Sequence, residues 1–165
     1  MAAIKLLILD VDGVMTTGAL PYDRGGNEVK TFWVQDGSAI RLWTSGGGTV
    51  AVISGRESPA VSARAKDLGI ASVTQGVADK VPAYEALCRE HSVSDAETGV
   101  VGDDYLDLAL MRRSAYPIAV ANAVASVKRA ARYVTQRRGG EGAVAEAIER
   151  LLRHNGTWSE RVDAF

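Results

Sequence analysis

Apolar and polar positions fall in alternating blocks along this chain. Residues 4–9 form an almost wholly apolar run, interrupted by Lys5 and closed by Asp10, the pattern of a central strand covered on both faces. Residues 49–53 and 98–101 repeat it, and residues 70–74, 115–120 and 132–135 are shorter strand candidates. Between them lie segments with helical spacing. One starts near Asp36 and stops at Gly46–Gly48, and one opens on Ser58-Pro59 and closes at Gly69, matching cap and first-turn preferences. Others cover residues 79–90, 106–113, 123–130 and 141–153, the last with Val144, Ile148, Leu151 and Leu152 on one face. Residues 19–23 and 28–34 flank Arg24-Gly25-Gly26-Asn27 and predict a β-hairpin, because glycines tolerate positive φ at such a turn. Strands alternating with helices predict a three-layer, Rossmann-like α/β fold: a mostly parallel sheet with helices on both faces and the hairpin 19–34 inserted.

Composition narrows the class. At 165 residues and 47% hydrophobic content the chain can fill one real core. We read residues 1–155 as that domain and 156–165 as a short tail. A formal net charge of −1 gives no long-range attraction to nucleic acid or anionic lipid. The basic cluster Lys128, Arg129, Arg132, Arg137 and Arg138 has no stacking platform beside it. The lone Cys88 leaves no intrachain disulfide and no cysteine metal cluster, and His91 and His154 cannot form a multi-histidine site. The first apolar run is too short for a signal or membrane segment. These readings predict a soluble cytoplasmic protein with no nucleic-acid or membrane partner.

The chemistry concentrates where strands end, which is where open α/β sheets bind ligands. Asp10 and Asp12 follow the first strand, Ser54 and Arg56 the second, and Asp103, Asp104 and Asp107 the strand at 98–101, while Lys80 begins a helix. Carboxylates converging on one pocket repel one another and lose hydration, and a hard cation with a lysine offsets both costs. Asp10 is placed to attack phosphorus. Asp12, two residues on, can protonate the leaving alcohol and later activate water. Asp103 with Asp10, and Asp12 through its backbone carbonyl, makes an oxygen-rich site suited to magnesium. Ser54 can hydrogen-bond a phosphoryl oxygen and Lys80 can neutralise charge on the nucleophile and the transferring group. Asp104 and Asp107 are placed to orient metal-bound water or Lys80.

The string LILDVDGV, then Ser54-Gly55-Arg56, Lys80 and Gly102-Asp103-Asp104-Tyr105-Leu106-Asp107 resemble, in order, the four motifs of the haloacid-dehalogenase-like phosphatases. The segments YDRGGNEVKTFWVQDG, ISGRES, QGVADK and RRGGEGAV further resemble the small phosphatases that act on 3-deoxy-D-manno-octulosonate 8-phosphate. That resemblance implies a magnesium-dependent fold without a cap domain, an aspartyl-phosphate intermediate, and a homotetramer whose hairpins assemble so that a neighbour helps cover each active site. It also implies a place in lipopolysaccharide precursor synthesis. Within it, Arg56 corresponds to the position associated with the sugar-acid end of the substrate, and a guanidinium matches a carboxylate with two parallel hydrogen bonds. Gly55 and Lys30 join it as candidate substrate contacts.

Two other functions compete. A nine-carbon sugar-acid 9-phosphate phosphatase would use the same chemistry, though relatives acting on that substrate tend to carry glutamate at the position of Arg56. A phospho-accepting receiver domain also combines acids, a hydroxyl and a lysine on a parallel sheet, but has no use for the late Gly-Asp-Asp-x-x-Asp. Gly139, Gly140 and Gly142 beside Arg137 and Arg138 fit two readings: binding an anion or lending a substrate contact across subunits, or a glycine-rich helix entrance with solvated arginines.

Overall fold

The structure, a computed structural model, describes residues 2–165. Among the described residues, six parallel strands stand in the order β3-β2-β1-β4-β5-β6. They are β1 (Leu6–Leu9), β2 (Thr49–Ile53), β3 (Ser72–Thr74), β4 (Thr98–Gly102), β5 (Tyr116–Ala119) and β6 (Tyr133–Val134). Every residue of β1 and β4 is buried, as expected of central strands covered on both faces. Leu6 pairs with Thr49 on one side and Thr98 on the other, so β1 lies between β2 and β4.

Among the described residues, helices α1 (Val34–Ser45), α2 (Pro59–Leu68), α3 (Val81–Glu90), α4 (Leu108–Arg113), α5 (Ala125–Ala130) and α6 (Ala143–His154) flank the sheet, and α7 (Trp158–Asp163) packs on α6. Helix α1 packs on α2 and α6 to form one layer, and α4 packs on α3 and α5 to form the other. Chain order reverses direction across the sheet between β1 and β4. A crevice opens there at the carboxyl ends of the strands. Pro59 in the first turn of α2 and Gly69 at φ +71° after its last residue give that helix the limits expected of them. On α6 the buried set Ala143, Val144, Ala147, Ile148, Leu151 and Leu152 forms the apolar stripe.

Three details depart from expectation. Helix α1 begins at Val34 rather than near Asp36. The hairpin is not two regular strands: its limbs meet at one antiparallel bridge, Tyr22 with Glu28. Asp23 organises the turn, its Oδ1 accepting from the N–H groups of Gly25 (2.8 Å) and Asn27 (2.9 Å), with Gly26 at φ +78°. Two limbs with no third strand to pair against hold little ladder in water. Residues 158–163, read as part of a tail, form α7, whose Trp158 lies under the Arg153 guanidinium 4.9 Å from its ring centre.

Candidate active site

The β1–β4 ladder runs one residue past β1: Asp10 N–H donates to the Val101 carbonyl at 3.1 Å. The carboxyl group of Asp10 is thereby delivered to the crevice. Immediately afterwards the chain winds around a single acceptor, the Val11 carbonyl, which takes N–H groups from Val14, Met15 and Thr16 at 3.2, 2.9 and 3.1 Å. Gly13 turns at φ +94°, and a Cβ there would stand 2.0 Å from Asp103 Oδ2. Only glycine allows the two strand ends to come so close.

A second loop braces the first. Asn122 donates from Nδ2 to the Gly13 carbonyl (2.9 Å) and accepts the Gly139 N–H on Oδ1 (2.6 Å). Gly140 N–H bonds the Val14 carbonyl at 3.1 Å. A Cβ on Gly139 would fall 1.7 Å from Gly13 O. This geometry accounts for Gly139 and Gly140 by close backbone approach to the loop carrying Asp10 and Asp12, a reason that neither reading of the glycine-rich segment contained. Arg137 turns to Gln35 (3.3 Å) and Arg138 is exposed.

Lys80, almost wholly buried just ahead of α3, reaches Asp10 Oδ1 at 2.5 Å and Asp107 Oδ1 at 2.7 Å. Burial works against its charge, yet the two carboxylates hold its pKa above the ordinary lysine value. Burial and the charge of Asp107 push the Asp10 carboxyl up to about 6, against the pull of Lys80. Asp103 is pushed further, to about 8, by burial and by the charges of Asp10, Asp107 and Asp104.

One oxygen from each of Asp10, Asp103 and Asp107 lies within 4.8 Å of the others. Asp107 is already engaged, its Oδ1 by Lys80 and its Oδ2 by the N–H groups of Asp103 (2.9 Å) and Asp104 (3.2 Å). Asp103 Oδ1, by contrast, is buried with no hydrogen-bond partner. An orphaned oxygen among crowded acids is what a hard divalent cation relieves, and an all-carboxylate donor set fits magnesium. Asp10 and Asp103 would hold it.

The remaining predicted residues lie around this centre. Asp12 is not in the carboxylate cluster: Lys30 Nζ bonds its Oδ1 and Arg56 Nε stands 3.9 Å from its Oδ2. Its side chain therefore faces the hairpin, which leaves only its backbone carbonyl for the metal role assigned above. Asp104 caps the turn after β4, accepting Tyr105 N–H at 2.8 Å, and is exposed rather than set against Lys80. Asp107 takes the orienting role instead, since it alone reaches both Lys80 and the start of that turn. Ser54 is buried at the end of β2 and accepts the Arg56 N–H at 3.2 Å. Gly55 sits on the rim opposite the exposed Leu106. Glu28 was not foreseen: it pairs with Lys30 (2.7 Å) and Arg56 (2.5 Å). The available signal was its spacing from Lys30, since residues two apart in extended chain share a face.

Residues 62–148 match the family model for haloacid dehalogenase-like hydrolases. The chain is 39% identical over 153 residues to the 3-deoxy-D-manno-octulosonate 8-phosphate phosphatase of Haemophilus influenzae, spanning 93% of this chain and 85% of that one. It is a member of the haloacid dehalogenase-like 3-deoxy-D-manno-octulosonate 8-phosphate phosphatase family. The crystal structure of the Moraxella catarrhalis phosphatase, in complex with magnesium, phosphate and KDO, superposes with a TM-score of 0.94 at 34% identity, covering 98% of this chain and 93% of that one. A probable phosphatase from Pseudomonas syringae gives a TM-score of 0.95 at 40% identity, covering 98% and 92%. Membership of this phosphatase family displaces the receiver reading. It also accounts for the fold, an all-parallel sheet flanked by helices with no separable cap. Among the described residues of this family member, no helix is long and apolar enough to cross a membrane.

Proposed function

We propose that the protein is a magnesium-dependent phosphomonoesterase that hydrolyses 3-deoxy-D-manno-octulosonate 8-phosphate to the free sugar acid and phosphate. The observation that carries this reading is the meeting of Asp10 and Asp103 at adjoining strand ends, with Lys80 2.5 Å from the nucleophile. The Asp10 carboxylate attacks phosphorus as the bond to the sugar oxygen breaks, forming an aspartyl-phosphate. Asp12 donates a proton to the leaving oxygen, then takes one from the water that cleaves the intermediate. Ser54 and Lys80 hold the transferring oxygens, and Arg56 meets the carboxylate end of the sugar acid. When bound, magnesium supplies positive charge against the phosphoryl oxygens.

Two further points belong to this reading. The hairpin exposes Leu20, Tyr22, Val29 and Trp33, and apolar side chains grouped in this way favour a partner. A homotetramer with hairpins packed together would cover them and close the site, and phosphoryl transfer profits from that exclusion of water. The reaction belongs in the cytoplasm, on the route to lipopolysaccharide precursors.

Phosphate release tests the proposal on the octulosonate 8-phosphate, nine-carbon acid 9-phosphates and simple sugar phosphates. Preference for the eight-carbon substrate, abolished by EDTA and reduced at least ~10³-fold in Asp10→Asn, is expected. Preference for the nine-carbon acids would overturn the substrate assignment, and turnover by Asp10→Asn at the wild-type rate would overturn the mechanism.

A further inference from the structure

Four charged side chains form a ring at the mouth of the site. Lys30 Nζ bonds Asp12 Oδ1 and stands 2.7 Å from Glu28 Oε1, Glu28 Oε2 receives Arg56 Nη2 at 2.5 Å, and Arg56 Nε returns to within 3.9 Å of Asp12 Oδ2. Positive and negative groups alternate around it. Burial grades across it too: the Lys30 side chain is 2% exposed, Glu28 13% and Arg56 46%. Lys30 therefore lies at the floor and Arg56 at the opening; both acids face both cations, but Glu28 lies much nearer Arg56 than Asp12 does, 2.5 Å against 3.9 Å.

The backbone gives Glu28 its own anchor within the hairpin. It is the hairpin residue paired with Tyr22 in the antiparallel bridge, and the turn just before it is tied down by Asp23. Arg56, by contrast, belongs to a short loop after β2 and its side chain is half in solvent. A long, half-exposed arginine has many rotamers, and freezing one costs rotational entropy that an anionic ligand would otherwise have to overcome. A charged hydrogen bond donated to Glu28 removes that cost before any ligand arrives, while the outward part of the guanidinium fork keeps donors for another carboxylate.

We propose that Glu28 is a positioning residue for substrate selection: ion-paired with Lys30 and hydrogen-bonded by Arg56, it holds the Arg56 guanidinium over the opening, so that phosphomonoesters carrying a carboxylate are preferred to those without one. Glu28 acts through Arg56 and touches no reacting atom. This inference rests on the reading that the substrate is a sugar-acid phosphate.

The test compares two substrates, the octulosonate 8-phosphate and p-nitrophenyl phosphate, which has no carboxylate. The wild-type protein, Glu28→Gln, Arg56→Ala and the double variant are assayed with magnesium, with thermal unfolding recorded for each. Glu28→Gln keeps the size and a hydrogen-bonding head but loses the charge that engages both cations. The expected result is a fall of about tenfold in kcat/KM for the sugar acid, carried by KM, with a loss of no more than about threefold for p-nitrophenyl phosphate. Arg56→Ala should lose the same discrimination, and adding Glu28→Gln to it should change the ratio between substrates by less than about twofold. An equal fall on both substrates would show Glu28 to be a structural brace and overturn the inference, as would an unchanged ratio in Glu28→Gln or a further loss in the double variant. Should wild-type protein show no preference for the carboxylate-bearing substrate, the substrate reading itself fails and takes this inference with it. A fold-disrupting substitution would appear as a lowered melting temperature, and Glu28→Asp, which keeps the charge, then decides: recovery of the sugar-acid preference sustains the role, and its absence overturns it.

Discussion

Lys80 stands between two carboxylates, 2.5 Å from Asp10 and 2.7 Å from Asp107, with almost none of its surface in water. Removing one member of a buried ion cluster leaves the others uncompensated, which typically costs ~3–5 kcal/mol. Lys80→Met should lower stability by about that amount in urea unfolding without metal, and by less with saturating magnesium; equal losses in both conditions would contradict the shared electrostatics. Asp103 carries the complementary prediction. Because burial and the neighbouring carboxylates push its carboxyl to about 8, a metal ion must displace a proton at neutral pH. Magnesium affinity measured by calorimetry should therefore climb between about pH 6 and 8, by up to tenfold per unit, and should flatten in Asp103→Asn.

At the scale of elements, Asp36 ties helix to helix. It sits in the first turn of α1 and accepts the Ala145 N–H of α6 at 2.8 Å, while its Oδ2 is buried without a partner. Burial raises its pKa from 3.8 to about 6, against the bonds from Ala145 and Gly142 and the charges of Arg137 and Arg64. A carboxyl raised in this way favours the folded state in its protonated form. Its contribution is complete below the unfolded value near 3.8 and disappears as pH rises through 6. A shift of that size corresponds to roughly 3 kcal/mol. The difference in unfolding free energy, wild type minus Asp36→Asn, should fall by up to that amount between about pH 4 and 7. Carboxyls at the active site titrate in both proteins and cancel; parallel pH curves would exclude Asp36 as the cause. The same α1–α6 contact shows why the helix periodicity was readable and this bond was not. Val144, Ile148, Leu151 and Leu152 declare their shared face by spacing, whereas a cap supplied from 109 residues away has no local signature.

For the whole molecule, the sheet and its crossovers bury their apolar faces within the chain, and the hairpin does so least. Its apolar side chains stand in solvent and its limbs share one bridge. Light scattering at micromolar concentration should report about four chain masses, and Tyr22→Lys combined with Trp33→Glu should reduce that mass while the far-ultraviolet circular dichroism is retained. A monomeric wild-type protein would refute assembly through the hairpin.

The order of elements, the burial of the central strands and the placing of Asp10, Asp12, Ser54, Lys80 and Asp103 beyond strand or helix ends were all determined by sequence. Each depends on local pattern: an apolar run long enough for a strand, a polar group where it stops, a glycine where the chain must turn. Tertiary structure decided what those groups do to one another. Asp12 and Asp107 are both acids beside a strand end, yet Lys30 draws one towards the hairpin and Lys80 draws the other beneath the nucleophile. Glu28 and Asn122 gain their roles from partners far along the chain, Arg56 in one case and Gly13 in the other. Local spacing dictates which face of an element a residue occupies, but the distance between two charges, and so the sign and size of their effect, exists only once the elements have packed.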